Sequence, residues 1–344
     1  MQTKVYTTAD GFEALAQEWD DLLARAANSP FFMRYSYQNI WWRHLGNDDL
    51  VLIAIRTDDG KLVGLAPLYR KLKESGQQEL TFVGCVDVSD YLDLLVDKEC
   101  IDEVYEALVD VLAGEVEWDG LYLCSLSQRS ITHTRLADAL RARGWNVEVS
   151  QQDVCPVITL PDTWDDYLAG IDKKQRHEIR RKERKIQREA DTRWILVEAP
   201  DELDAAMEEF ISLHQSSTKD KEDFWSDSLI AFFKEVAIAL AREGWLKLYF
   251  IEVNGARAAA MLCFDYNNEF LLYNSGFDPE QYGHLSPGNV LTAYTIQHAI
   301  ELGRERYDFL RGDEVYKLRF GGEPEPVYDL RAFRPDNPIT VEGC

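Results

Sequence analysis

Residues with chemical capacity concentrate late in the chain, in the stretch YNSGFDPEQYGHLSPGNVLTAYTIQHAIELGRERYDFLRGDEVYKLRFGG, residues 273–322. Within it, Ser286-Pro287-Gly288 opens a helix, with serine at the N-cap and proline pre-set for the first turn. The amides of Gly288, Asn289 and Val290 would then point outward at the positive end of the helix dipole, which suits a phosphate or pyrophosphate. A plain helix start explains the same residues. Asp313 follows Gly312 at the end of the apolar run YDFL, where a strand end delivers side chains to a cleft. It can accept a proton or orient a nucleophile, and it can equally be a turn residue. Lys317 is either a compact charge for an oxyanion or phosphate, with Tyr316 beside it, or a solvated strand lysine.

A second rank surrounds these. Tyr273 and Ser275 lie on the strand-like run EFLLYNSGF, and Tyr282 in the polar loop after it can serve as a general acid. Aromatics on strands are usually core. His214 and Lys219 stand in LHQSSTKDKEDFW between two helices, and Asp308, flanked by Tyr307 and Phe309, reads as a structural carboxylate. His284 precedes the helix start, where it can cap loop carbonyls.

The elements that must position these residues alternate strand and helix, an α+β chain with α/β-type layers. Helices are expected at 10–27, 36–44, 101–114, 131–143, 163–169, 172–190, 201–217, 227–243 and 287–302. VLIAIRT and KLVGLAPLYRK form a hairpin across Asp59-Gly60, and LKLYFIEV and ARAAAMLCFDY a second across Asn254-Gly255. Further strands are expected at ELTFVG, YLDLLV, 120–124, 145–149, VCPVITL, RWILVEA, RYDFL and VYDLRAF. The order recurs in both halves, with Gly60 and Gly255 marking equivalent hairpins, which points to a duplicated fold.

Composition excludes several classes. The 344 residues suffice for two domains, and 46% hydrophobic against 28% charged residues is ordinary for a globular chain. No apolar run reaches the ~20 residues of a membrane span, and the N-terminus lacks a signal-peptide pattern, so a soluble, cytoplasmic protein is expected. Cys85, Cys100, Cys124, Cys155, Cys263 and Cys344 are scattered without metal spacing; those in LYLCSL and AAMLCF read as buried free thiols. No metal is expected. GxSxG, Walker and GxGxxG motifs are absent, which removes the usual support for serine hydrolases, P-loop NTPases and Rossmann dehydrogenases.

The formal net charge is -24, a field that repels nucleic acid. Residues 172–193 oppose it, with ten basic against five acidic residues, leaving -29 for the rest. The apolar positions Ile171, Ile179 and Ile186 give this helix one narrow buried stripe. It is either a solvated face supported by pairs such as Asp172–Arg176 and Glu178–Lys182, or a landing surface for a polyanion, with Arg176 and Arg180 touching phosphate.

Two patterns carry a family resemblance: Y-x-S-G-x-D-P-x6-S-P-G-x-x-L followed by D-F-L-R-G-D-E-x-Y-K-x-R-F-G, and WDDYLAGIDKKQRHEIRRKERK at 164–185. Together they resemble the CelD-type acetyltransferases, a branch of the GNAT fold. They are also similar to the Fem peptidyltransferases, whose F-K-x-x-F-G signature is matched by Tyr316, Lys317, Phe320 and Gly321. The resemblance implies two tandem GNAT-like domains, each a mixed, mostly antiparallel sheet flanked by helices. A degenerate domain would span 1–150, a catalytic one 151–335, and a tail 336–344. It implies transfer of an acyl group from acetyl-CoA or another acyl-CoA to a small amine or amino-sugar acceptor of envelope or polysaccharide metabolism. On this reading Asp313, Lys317, Tyr316 and Tyr282 are catalytic. Ser286, Gly288, Asn289, Val290, Tyr273 and Ser275 hold the donor, with the strand edge at Tyr273 pairing with pantetheine amides. Arg176, Arg180 and His214 face the acceptor. Two alternatives stay open: aminoacyl transfer from a charged tRNA, as in the Fem relatives, and a catalytically silent GNAT scaffold.

Overall fold

A computed structural model describes residues 1–46, 49–85 and 88–335; the expected tail 336–344, with Cys344, lies outside the described residues. The chain divides into two compact units, Met1–Asp153 with the stretch from Pro326 onward, and Val154–Glu325.

The first part of the chain runs β1 (Gln2–Tyr6), α1 (Asp10–Arg25), α2 (Tyr35–Leu45), β2 (Leu50–Arg56), β3 (Leu62–Leu72), β4 (Gln78–Phe82), β5 (Leu95–Val96), α3 (Ile101–Gly114), β6 (Gly120–Ser127), α4 (Thr132–Ala142) and β7 (Asn146–Thr159). Then follow α5 (Trp164–Gly170), α6 (Lys173–Glu189), β8 (Thr192–Val197), α7 (Leu203–Ser217), α8 (Lys219–Asp223), α9 (Asp227–Arg242), β9 (Leu246–Val253), β10 (Ala256–Tyr266) and β11 (Glu269–Phe277). The last elements are α10 (Pro279–Tyr282), α11 (Pro287–Glu301), β12 (Arg306–Asp308), α12 (Val315–Arg319) and β13 (Glu323–Phe333).

The strand order of the first unit is β1-β2-β3-β4-β6-β13, with β5 on β3; that of the second is β8-β9-β10-β11-β12-β7. Each sheet is antiparallel except for one parallel pair of three residues, Glu79–Thr81 on Gly120–Tyr122 and Glu269–Leu271 on Arg306–Asp308. The recurrence seen in the sequence is therefore a recurrence of topology. The hairpins β2–β3 and β9–β10 hold the same rank in each order, turning at Gly60 (φ 90°) and Gly255 (φ 84°).

The closing strands do not follow chain order. Residues 157–159 of β7 pair with β12, while residues 327–332 of β13 pair with β6. The expected division at 150/151 thus falls inside one continuous strand, and the strand at 327–333 sits with the first unit rather than with 151–325. Hydrogen bonding, not proximity along the chain, decides where a strand belongs. Two expected strands shorten: YLDLLV keeps only Leu95–Val96 and RYDFL only Arg306–Asp308. Cys124, expected as a thiol, is disulfide-bonded to Cys85 at 2.05 Å, whereas Cys263, also expected as a thiol, is unbridged. Nothing in the 39-residue separation of Cys85 and Cys124 signals that pairing.

In the second unit α11 buries Val290, Leu291 and Ile296 in a core shared with Tyr249, Ile251 and Phe270. The isoleucine stripe of α6 joins that core through Ile179 and Ile186. Among the described glycines, the tightest approach is at Gly276, where β11 meets α7. A Cβ there would stand 2.4 Å from the His214 amide nitrogen and 2.5 Å from its Cα. Backbone cannot yield as a flexible side chain does, so Gly276→Ala is expected to cost about 3 kcal/mol, read as a lowered denaturant midpoint. Gly170→Ala, where a Cβ meets nothing within 4 Å, is the control and should change the midpoint little.

Candidate active site

The second unit opens along β11. That strand continues to Phe277, but β12 accompanies it only as far as Leu271. Beyond Asp308 the chain turns to β7 instead: the Phe309 amide donates to Pro156 O at 3.0 Å and Gly312 to Val154 O at 2.9 Å. Asp308 is fully buried, and its Oδ1 accepts the Leu310 amide at 2.7 Å, the structural role its apolar neighbours suggested.

Side chains of the same unit line the vacated edge. Ser217 Oγ accepts the Phe277 amide at 2.9 Å, and Asn274 Oδ1 accepts the Ser275 amide at 2.9 Å. Lys221 Nζ donates to the Ser275 carbonyl. Ser275 thus lies on the open edge, and an extended ligand amide could pair there only by displacing Lys221. Tyr273 packs between Phe233 and Phe264, with centroids at 5.8 and 5.2 Å, in an aromatic cluster rather than at a strand end.

His214 is buried beneath this edge. Its Nδ1 accepts from Trp225 Nε1 at 3.0 Å, which leaves Nε2 to donate to Asn274 Oδ1 at 2.7 Å. Burial, helped by the Lys221 charge, lowers its pKa to about 4, so it is a neutral strut for Asn274. Lys221 is half-buried; desolvation first, then the neighbouring Lys317 charge, bring it down to about 8 against the pull of Glu314. Sequence reasoning singled out Lys219, which is exposed and paired with Glu222 and Asp223. Spacing alone does not tell which lysine of KDK turns inward.

At the far end of β11 the helix start stands where expected, with changes in detail. Ser286 adopts a left-handed conformation (φ 56°) and its side chain caps nothing. The Val290 amide is consumed by Ser286 O at 3.2 Å, so two outward amides remain, those of Gly288 and Asn289, rather than three. A Cβ on Gly288 would meet only Phe277 Cδ1, at 3.9 Å. Asn289 and Val290 border a cavity of about 340 Å³ whose other walls are Lys174, Gln175, Glu178, Ile179 and Lys182 of α6, and Tyr316, Arg319 and Phe320. Burial lowers the Lys182 pKa while Glu178 opposes this, and burial raises the Tyr316 phenol. Lys185 Nζ donates to His284 O at 2.6 Å, tying α6 to the loop before α11. Tyr282 is half-buried at the end of α10. A second cavity of about 680 Å³ shares Gln175 and Arg319 with the first and is lined by Tyr167, Ile171, Val315 and Leu318.

Lys317 departs most from expectation. It lies on a short helix and is 3% exposed; Nζ donates to Leu310 O (3.2 Å), Arg311 O (2.6 Å) and Gly312 O (3.3 Å), with Glu314 Oε2 at 2.8 Å. Its charge organises the loop. Asp313, on that loop, is exposed. Neither arginine chosen from the basic helix reaches the cavity. Arg176 caps α5 through Leu168 O at 2.9 Å, and Arg180 is exposed. At 100° per residue, Lys182 stands about 60° to one side of Ile179 and Arg180 about 100° to the other. The stripe was legible; the flank facing the cavity was not.

Residues 173–318 match the model of a family described as an acetyltransferase (GNAT) domain. By structure the chain is similar to FemX (TM-score 0.62, 14% identity, 96% of this chain and 97% of that one). It is also similar to L-PGS from Bacillus licheniformis (0.58, 9%, 94% and 93%) and to a conserved protein of unknown function from Bacteroides thetaiotaomicron (0.58, 10%, 97% and 100%). No curated protein matches by sequence. The fold is a tandem, GNAT-like α+β arrangement, and residues 173–318 are the stretch similar to a GNAT acetyltransferase domain. Among the described residues no helix is long and apolar enough to cross a membrane.

The His214 environment makes a pH prediction. Its folded pKa, about 4, lies below the ~6.5 of an unfolded histidine, so its contribution is complete above pH 6.5 and is lost as pH falls toward 4. Between pH 7 and 4.5 this loss is about 2–3 kcal/mol. Urea midpoints at the two pH values should converge in His214→Gln relative to the parent; an unchanged gap would place the slope elsewhere.

Proposed function

We propose that the chain is an N-acyltransferase of the CelD-like type, moving an acyl group, acetyl in the simplest case, from acyl-CoA to an amine acceptor. The observation that carries this reading is the cavity between α6 and the start of α11. Asn289, in the first turn of a 15-residue helix and next to Gly288, lines it together with Lys174, Lys182 and Arg319, a setting for a phosphorylated donor at the positive end of the helix dipole. From that anchor the donor arm would run along the open edge of β11, where Phe277 adjoins Gly288. An amine then attacks the thioester carbonyl; no covalent enzyme intermediate is required.

In this reading Asp313, exposed on its loop, takes the amine proton, and Tyr316 or Tyr282 returns one to the leaving thiolate. Lys317 serves by holding the loop rather than by touching the oxyanion. The second cavity is the acceptor side, and its amine or amino-sugar class, in envelope or polysaccharide metabolism, rests on the motif resemblance alone. Every named residue lies in the second unit; the first is proposed as the degenerate copy.

One observation favours a second reading, aminoacyl transfer from a charged tRNA: the exposed arginines Arg180, Arg181, Arg184 and Arg188 along α6.

Calorimetric titration with acetyl-CoA separates them. The parent should bind, and Gly288→Asp should weaken binding at least tenfold by placing a carboxylate at the phosphate position, where the side chain itself fits. Lys182→Glu should act in the same direction. Absence of acetyl-CoA binding, together with tRNA binding that Arg180→Glu reduces, would replace the first reading by the second. In a turnover assay Asp313→Ala should abolish activity without loss of fold.

A further inference from the structure

We propose that β8 is a self-association edge, along which a second copy of this chain adds its own β8 in antiparallel pairing. The strand order of the first unit ends on β1 and that of the second on β8, and the two edges differ in composition. β1 reads QTKVY, with Gln2, Thr3 and Lys4 exposed, and a lysine at the centre of an edge discourages further strands. β8 reads TRWILV; four of its six residues are apolar, and it holds neither lysine nor proline. Trp194, Ile195 and Leu196 are half-buried, and Trp194 stacks at 4.0 Å on the half-buried Tyr294 of α11, which widens the apolar margin.

The register with β9 fixes which backbone groups face outward. The Asn254 amide donates to Asp191 O at 2.7 Å, and Thr192 to Val197 pair with Val253 to Leu248 without a shift. In an antiparallel ladder, residues that exchange bonds with a given neighbour alternate. Arg193, Ile195 and Val197 therefore bond to β9, and the N–H and C=O groups of Thr192, Trp194 and Leu196 point away from it.

Two copies of β8 can join only where outward residues oppose outward residues. The twofold axis must then pass through a residue of the strand rather than between two residues. Centred on Ile195, it sets Trp194 against Leu196 of the second copy twice, Thr192 against Glu198 twice, and Arg193 against Val197. The result is an apolar centre with a hydroxyl–carboxylate pair at each end, and no charge faces its like. That self-complementarity makes a second copy the occupant.

The test is the mass in solution by sedimentation, together with two introduced cysteines. The parent should approach twice the chain mass as its concentration rises. Leu196→Pro should return it to the single-chain mass with the circular-dichroism spectrum retained, because proline there removes only an outward N–H. Ile195 would stand opposite its own copy in a non-hydrogen-bonded pair, with Cα atoms about 4.5 Å apart and within disulfide range. The two Arg193 residues would be four positions out of step, roughly 13 Å along the strands and beyond that range. Mild oxidation should therefore link Ile195→Cys into dimers well above the level of the parent with its native thiols, and leave Arg193→Cys at that level. A single-chain mass at every concentration overturns the inference. So does a dimer that persists in folded Leu196→Pro, or one in which Ile195→Cys links no more than Arg193→Cys.

Discussion

The candidate site depends on one divergence, the parting of β12 from β11 after three residue pairs. A parallel pair that continued would have used the outer edge of β11 from Leu272 to Phe277 for strand hydrogen bonds. Instead the chain beyond Asp308 bonds to residues 154–156, and Leu310 accepts a left-handed backbone (φ 55°), a conformation that costs a non-glycine residue about 1–2 kcal/mol. The buried Asp308 carboxylate offsets part of that cost by accepting the Leu310 amide. The first unit has the same three-residue parallel pair, yet its opening is closed. The Cys85–Cys124 disulfide spans it, and the Leu92 amide reaches Ser125 O at 3.0 Å. Asp93 lies buried beside this strap, bonded to Thr132 and Asn28, its pKa raised by burial. The same topology thus leaves a strand edge to be satisfied by side chains in one unit and a disulfide-bridged seam in the other.

Where strand pairing stops, side chains must satisfy the backbone, because unpaired buried amides are expensive. Ser217, Asn274 and Lys221 do this for β11, and His214, locked between Trp225 and Asn274, fixes the amide that serves Ser275. Lys317 does the equivalent for the loop after β12. Three carbonyls converge on its ammonium, and an unpartnered charge at that depth would be prohibitive. The loop therefore curls around the lysine and leaves Asp313 outside. A lysine that builds the site in this way is as indispensable as one that touches substrate, which is why a motif position alone does not distinguish the two roles.

Much of the fold was legible in the sequence. Periodicity located the helices at α1, α3, α7, α9 and α11 to within a few residues, and Asp-Gly and Asn-Gly located both hairpins. These signals are local, written in turn chemistry and apolar spacing. Three things were not legible, and all are long-range. The exchange of β7 and β13 depends on partners more than a hundred residues away. The inward turn of Lys221 rather than Lys219 depends on where β11 lies against α7 and α8. The choice of Lys174 and Lys182 over Arg176 and Arg180 depends on which flank of the isoleucine stripe meets α11. Sequence identified the basic helix; only packing shows that Arg176 is spent on the end of α5.

The same locality explains how a chain of net charge -24 can hold a cation-lined cavity. At physiological salt the Debye length is about 8 Å, so the potential at the start of α11 is governed by what lines it. There Lys174, Lys182, Arg319 and the helix dipole outweigh Glu178, whose own charge is answered by Arg181 at 2.7 Å. A compact phosphorylated donor samples only that neighbourhood. A polyanion as long as a tRNA would extend beyond that neighbourhood, and the chain outside residues 172–193 carries a formal -29. On the proposed reading, a donor whose anionic part is no larger than the cavity suits this charge distribution better than a long polyanion does.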